Sequence, residues 1–212
     1  MITLYNYELS GNCYKLRLLM SLLGVSYETR EVEFHPGKEH KGDAFLALNP
    51  LGQLPVIDDN GFILRDAQAI LGYLAARYDP SGQWYPRDDP QRLGEVNMWL
   101  AFADGITTTA SAARLAEVFG YPLNADQARQ GAHDLFRVLE ERLWFSEREE
   151  GGWVCRGQHP TIADIACFPY VMLANEGGIE LLDYPAIRRW TDRLKRLPGF
   201  VVMSGIFAAS AA

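Results

Sequence analysis

The sequence predicts an α/β domain followed by an all-α domain, and three observations carry that reading. Strand and helix signals alternate as far as about residue 78. A stretch holding Pro80, Pro86 and Pro90 then breaks the pattern, and past it the strand signals stop and helical periods take over. The expected organisation is an N-terminal domain over residues 1–78, a linker over 79–90 and an all-helical domain over 91–212.

Ile2 to Tyr7 reads as a first strand, β-branched and aromatic, with Leu4 and Tyr5 on opposite faces. Ser10-Gly11-Asn12 ends it. From Cys13 a helix carries Leu16, Leu19, Met20 and Leu23 on one face and stops at Gly24. Ser26 to Val32 is a weaker second strand, and strand, covering helix, strand implies a right-handed crossover with parallel pairing. Pro55 has no N–H and holds Leu54 out of the helical region just before Val56-Ile57. Asn60-Gly61 ahead of Phe62-Ile63-Leu64 marks a hairpin, because both turn positions need positive φ. Asp66 is a good N-cap, and Ala67, Ile70, Leu71, Leu74 and Tyr78 form the one-sided stripe of a core-facing helix. Strand, helix, strand, a variable segment, strand, strand, helix is the order of thioredoxin-like folds, an assignment that rests on topology.

Trp84 and Tyr85 in the linker predict that it packs on a domain surface. Beyond it, one helical stretch runs from about Arg92 to Phe119 with a bend near Gly105, and another carries Ala128, Ala132, Leu135 and Leu139. Glu147-Arg148-Glu149-Glu150-Gly151-Gly152 reads as a solvated loop. Thr161-Ile162-Ala163-Asp164 has the form of a capping box with Asp in place of Glu or Gln, and a final helix shows Ile187, Trp190, Leu194 and Leu197 before Pro198-Gly199.

A formal net charge of -7 over 212 residues argues against nucleic acid or an anionic membrane as the main partner. No apolar run reaches the roughly 18 residues that span a bilayer. The amino terminus shows neither the basic nor the apolar region of a secretory signal. Cys13, Cys155 and Cys167 form neither an even set nor a CxxC pair, so the expectation is a reducing cytoplasm without disulfides. Four scattered histidines predict no metal site, and neither a P-loop nor a G-x-S-x-G elbow is present.

The residues themselves leave several roles open. Ser10, ahead of the first helix, either caps it through its oxygen or donates its hydroxyl to an anion at the helix end. Asn12 offers an amide donor at the same end. Cys13 is activated there if exposed, and is a small buried hydrophobe if not. Leu54 keeps its N–H and C=O; a cis bond to Pro55 would turn them toward an extended peptide, whereas the alternative is a plain surface turn.

Asn49-Pro50-Leu51-Gly52-Gln53-Leu54-Pro55-Val56, the acidic helix start at Asp66, and Ser10-Gly11-Asn12-Cys13-Tyr14-Lys15 together resemble a bacterial cytosolic glutathione S-transferase of the serine type, theta-like or related. The resemblance runs end to end. It implies a cytoplasmic, detoxifying homodimer that adds glutathione, a co-substrate, to small hydrophobic electrophiles. A free thiol has a pKa of about 8.5, so such an enzyme must stabilise the thiolate. Ser10 falls where the family's thiolate-stabilising serine falls, with Asn12 as its rival; Cys13 would instead form a mixed disulfide with glutathione.

By the same resemblance Gln53, Leu54 and Pro55 hold the peptide, and Asp66 and Ala67 hold the γ-glutamyl group. The family usually has Ser where this chain has Ala67, so one hydroxyl contact is missing. His40 and Lys41 match a segment that contacts the glycyl carboxylate, although their charge cluster alone reads as a solvated loop. The electrophile pocket is expected between the domains, with Tyr7, Tyr14, Trp99 and Phe102 as candidates whose plainer alternative is core packing. Two other functions remain open: glutathione-dependent reduction of disulfides or peroxides, if Asn12 or Cys13 dominates, and non-catalytic binding on the same fold.

Overall fold

The computed structural model describes residues 1–149 and 151–209. A four-stranded sheet is formed by β1 (Ile2–Asn6), β2 (Tyr27–Glu31), β3 (Val56–Asp59) and β4 (Phe62–Arg65), in the order β2-β1-β3-β4. β1 and β2 run parallel, with Ile2 opposite Tyr27 and Asn6 opposite Glu31, joined through the covering helix α1 (Gly11–Leu22). β3 pairs antiparallel with both β1 and β4. The hairpin turns at Asn60 and Gly61 with φ of 54° and 92°, the positive values that this pair of residues predicts.

Alternation along the strands divides the two faces of the sheet. Leu4 and Ile57 join Leu16, Leu19, Ile70, Leu71 and Leu74 in the main core under α1 and α3 (Ala67–Tyr78). Tyr5 and Val56 face the other way and join Val32 and Phe45 in a smaller cluster. Phe45 belongs to α2 (Asp43–Leu46), a single turn preceded by a short 3-10 turn at Glu39–Lys41. This is a thioredoxin-like layer, and a helical domain follows it.

That domain comprises α4 (Pro90–Ile106), a π-helical turn (Thr107–Ser111), α5 (Ala112–Phe119), α6 (Ala125–Glu149), α7 (Ile162–Met172) and α8 (Pro185–Lys195). The irregularity expected at Gly105 lies instead at residues 107–111. There the Thr107 and Thr109 hydroxyls donate to the carbonyls of Ala103 and Gly105 at 3.0 and 2.7 Å, and these side-chain bonds to the preceding turn compete with the regular ladder. The acidic run at 147–152 is not wholly a loop: α6 continues through Glu149, and Glu147 pairs with Arg189 at 2.7 Å and Arg193 at 3.2 Å, fastening α6 to α8. Glu150, in the same run, and residues 210–212 of the expected helical domain lie outside the described residues. No helix among the described residues is long and apolar enough to cross a membrane.

The segment 79–90 is fixed and not free. Asp79 accepts from the Ser81 and Trp84 N–H groups at 2.9 Å each, Trp84 is buried, and its carbonyl accepts from Ile162 at the start of α7.

Asp59 closes β3 onto α3. Its carboxylate accepts from Tyr73, Tyr78 and Asn60 at 2.7, 2.6 and 2.7 Å and faces Arg77 at 3.2 Å. Burial alone would raise its pKa, but the hydrogen bonds from Tyr78, Tyr73 and Asn60 and the Arg77 charge outweigh it and hold the carboxyl below its ordinary 3.8. A carboxyl depressed in the folded state contributes stability that is present above its ordinary pKa and lost as pH falls through the folded value. Asp59→Asn is therefore expected to flatten the acid-side loss of stability, read from urea midpoints measured from neutral pH downward. An unchanged acid slope would remove this account.

Candidate functional site

A cavity of about 500 Å³ opens between the sheet domain and the helical domain. The sheet side contributes the loop after β1, the turn before β3 and the start of α3. The helical side contributes α4, the π-helical turn, α5 and Tyr170 of α7.

Ser10 stands at the cavity as the N-cap of α1, its Oγ accepting from the Cys13 N–H at 3.2 Å. A hydroxyl that accepts one hydrogen bond retains its own proton to donate, so capping and donation into the cavity are compatible at this residue. Asn12 also lines the cavity, and its backbone N–H donates to the Tyr170 hydroxyl at 3.3 Å. Gly11 makes that approach possible: a Cβ there would lie 2.7 Å from the Tyr170 ring.

Asp66 caps α3, accepting from Ala69 N–H at 2.9 Å. Its φ is 78°, a conformation costly for a non-glycine residue and most often kept where a site requires it. It is exposed and lines the cavity beside Ala67, whose N–H opens the helix. Gln53, Leu54 and Pro55 form the wall between the two helix ends. The Leu54–Pro55 bond is cis, and the Leu54 backbone has no hydrogen-bond partner among the described residues. Asn49 braces this turn by donating to the Gln53 carbonyl at 2.8 Å and accepting from Leu51 N–H at 3.1 Å.

The structure separates several expected residues from this cavity. Cys13 is fully buried on the inner face of α1, and burial pushes its thiol up to about 11, against the lowering influence of the neighbouring Ser10 side chain and the Tyr7 backbone. His40 is buried with its ring stacked on Phe34 at 4.2 Å, and burial followed by the Lys41 and Lys38 charges lowers its pKa. Lys41 turns back to donate to the Leu51 and Gly52 carbonyls at 3.2 and 2.9 Å, so its ammonium braces the loop. Neither lines the cavity.

Of the four aromatic candidates only Tyr7 does, 5.4 Å from the Phe34 ring, with burial raising its phenol pKa. Tyr14 is a core residue whose hydroxyl donates to Val201 at 2.7 Å. Trp99, which is buried, and Phe102 line a separate surface depression with Met98 and Val138. Helical spacing gave their face no address.

Residues that the sequence did not mark complete the walls. Leu9, Phe34, Leu115 and Phe119 make one end apolar. Gln68 donates to Asp104 across the domain boundary, and Arg65 lies beside Asp66. Burial chiefly, then the Asp66 charge, raises the Asp104 pKa, with Lys15 and Gln68 opposing. Three consecutive threonines at 107–109 were a usable signal for an irregular helix, but nothing local distinguished Phe34 or Phe119. No group of His, Cys, Asp and Glu able to hold a metal occurs among the described residues.

Comparison with known proteins gives a consistent picture. Residues 4–82 match the family model described as glutathione S-transferase, N-terminal domain. The chain is 30% identical over 201 residues to a maleylacetoacetate isomerase of Pseudomonas aeruginosa, covering 93% of this chain and 92% of that one. It is also 30% identical to the glutathione S-transferase GstB of Escherichia coli, over 93% of this chain and 95% of the relative. Among solved structures, a glutathione S-transferase from Pseudomonas fluorescens superposes with a TM-score of 0.83 at 30% identity, over 95% and 98% of the two chains.

Proposed function

The chain belongs to the glutathione S-transferase family, and from that premise we propose that its interdomain cavity binds glutathione and delivers the thiolate to a small hydrophobic electrophile. The observation that carries this reading is the convergence of two helix starts on one cavity: α1 with the Ser10 hydroxyl, and α3 with the carboxylate of Asp66, whose backbone has a positive φ. Glutathione is an anionic tripeptide that carries an ammonium at one end and a thiol in the middle. Asp66 pairs with the ammonium, and the free N–H groups at the start of α3 take the adjacent carboxylate. The unpartnered backbone of Leu54 joins the cysteinyl unit as an added strand would. The thiol then reaches Ser10, whose proton stabilises the anion together with the α1 N-terminus.

The apolar end of the cavity, with Tyr7, Leu9, Phe34, Leu115 and Phe119, suits an uncharged electrophile better than a carboxylate. Arg114, behind that wall, is committed to Glu176 at 2.6 Å and the Leu9 carbonyl at 2.8 Å. A thiol-disulfide reductase working through Cys13 needs an accessible thiolate, and burial opposes both access and ionisation.

The setting we infer is a detoxifying homodimer in the cytoplasm. Three free, buried cysteines suit a reducing compartment. The exposed apolar side chains of Met98 and Val138 beside Phe102 supply a face for self-association, to be checked by light scattering of the eluted protein.

Retention on immobilised glutathione, followed by assays with an aryl halide and with a glutathione-capped disulfide, tests the reading. Conjugation of the halide supports it, turnover of the disulfide alone favours reduction, and retention without turnover leaves a binding protein. Within the same site, Asp66→Asn keeps an oxygen for the cap while removing the charge. Loss of a charged hydrogen bond of about 1.5–3 kcal/mol should weaken glutathione binding roughly ten- to hundredfold. Unchanged affinity in a calorimetric titration would reject the assigned pose.

A further inference from the structure

Lys15 is a lysine without solvent exposure. It sits one turn into α1, and helical side chains lean toward the N-terminus, so its amine lies beneath the turn that bears Ser10 and Asn12. Its one hydrogen bond among the described residues is a long one, 3.5 Å to Thr107 Oγ1 in the π-helical turn. It also lies 5.4 Å over the Tyr170 ring, and the Tyr170 hydroxyl accepts from the Asn12 N–H. No carboxylate among the described residues pairs with it directly. The carboxylates that act on it from the packed elements are Asp104 on α4 and Asp66 at the start of α3, both on the cavity wall; the nearby Cys167 thiol on α7 is kept un-ionised by burial. A buried ammonium with so little local compensation costs stability, and an apolar side chain of similar length would avoid that cost.

We infer that Lys15 is a positioning residue that sets the positive potential at the thiol end of the cavity, favouring the ionised sulfur of bound glutathione without touching it. The inference rests on the glutathione reading above. It assigns to one buried side chain part of the work otherwise given to Ser10 and the helix terminus. Desolvation pulls the Lys15 amine down to about 8, against the raising influence of the Asp104 and Asp66 carboxylates. The charge is thus held below that pH and lost above it, while a bound anion draws the value upward.

The test uses the whole protein. Wild-type binding to glutathione and S-methylglutathione is measured first, and its absence would defeat the glutathione reading before Lys15 is in question. Lys15→Met is then titrated with glutathione bound, following thiolate ultraviolet absorbance against pH. The sulfur is expected to ionise about one pH unit higher, with kcat/KM near neutrality lower by about tenfold. S-methylglutathione, which has no proton to lose, should bind within about twofold of wild type, and the melting temperature should not fall. An unchanged ionisation pH overturns the inference. So does a loss of S-methylglutathione affinity as large as the loss in kcat/KM, which would make Lys15 a packing or peptide-binding residue. Should Lys15→Met fail to fold, Thr107→Val removes the ammonium's hydrogen bond at nearly constant volume. It should move the alkaline fall of kcat/KM to lower pH, and an unmoved profile overturns the inference equally.

Discussion

Asp164→Ala is expected to remove a large share of the folding free energy, on the order of 4 kcal/mol, out of the roughly 5–15 kcal/mol that holds a domain together. The carboxylate is fully buried and accepts four hydrogen bonds. Oδ2 takes the Thr161 N–H at 2.9 Å and the Thr161 hydroxyl at 3.4 Å; Oδ1 takes the Val154 N–H and the Trp190 indole N–H at 2.9 Å each. One side chain thereby joins the start of α7, the segment that enters it, and α8. Alanine would leave two backbone N–H groups and an indole N–H buried without partners, each costing about 1–3 kcal/mol. Burial pushes the Asp164 carboxyl up while those donors pull it back, so part of the loss is offset by relief of that desolvation. Because α7 carries Tyr170 into the cavity, glutathione binding should fall with stability. Urea unfolding followed by circular dichroism checks the prediction, and a loss below about 1 kcal/mol would show that water or a rearranged turn replaces the carboxylate.

Local chemistry was most legible where one residue type answers one backbone demand. Asn60-Gly61 specified the hairpin, Thr161 with Asp164 specified the start of α7, and Asp66 specified the start of α3; each forms in the fold. Segments held by distant partners were less legible. Phe45 makes α2 worthwhile only because Tyr5, Val32 and Val56 lie across from it, and neighbouring residues carry no trace of that. Glu147 looked like part of a solvated run because its partners, Arg189 and Arg193, stand about forty residues away on α8.

The candidate site divides along the same line. The end proposed for glutathione rests on caps and a turn, which are local, and Ser10, Asn12, Gln53, Leu54, Pro55, Asp66 and Ala67 all meet at the cavity. The end proposed for the electrophile is assembled from single side chains of the loop after β1, the loop after β2 and α5. Aromatic character alone could not separate Tyr7, which lines it, from Tyr14, which is sealed in the core.

Ser10→Ala is expected to lower turnover by about a hundredfold, the scale on which removing one well-placed donor to a developing anion acts. The hydroxyl accepts the Cys13 N–H, so the variant also loses a cap worth about 0.5–2 kcal/mol of stability. Activity must therefore be compared well below the variant's melting temperature. Binding should suffer less than turnover, since in the proposed pose Leu54, Asp66 and the start of α3 hold the rest of the peptide; kcat should drop more than KM rises. The pH at which bound glutathione ionises should rise in Ser10→Ala, because the lost donor favours the charged form. Cys13→Ala should leave turnover nearly intact, and mass spectrometry should find no glutathione adduct on Cys13, whose sulfur is sealed and whose ionisation lies far above neutrality. Asn12→Ala should act weakly, since its backbone N–H, the group held by Tyr170, survives the change. A collapse of turnover in Cys13→Ala with Ser10→Ala unharmed would convert the enzyme into a thiol-disulfide catalyst. A collapse in Asn12→Ala alone would transfer the role to the amide.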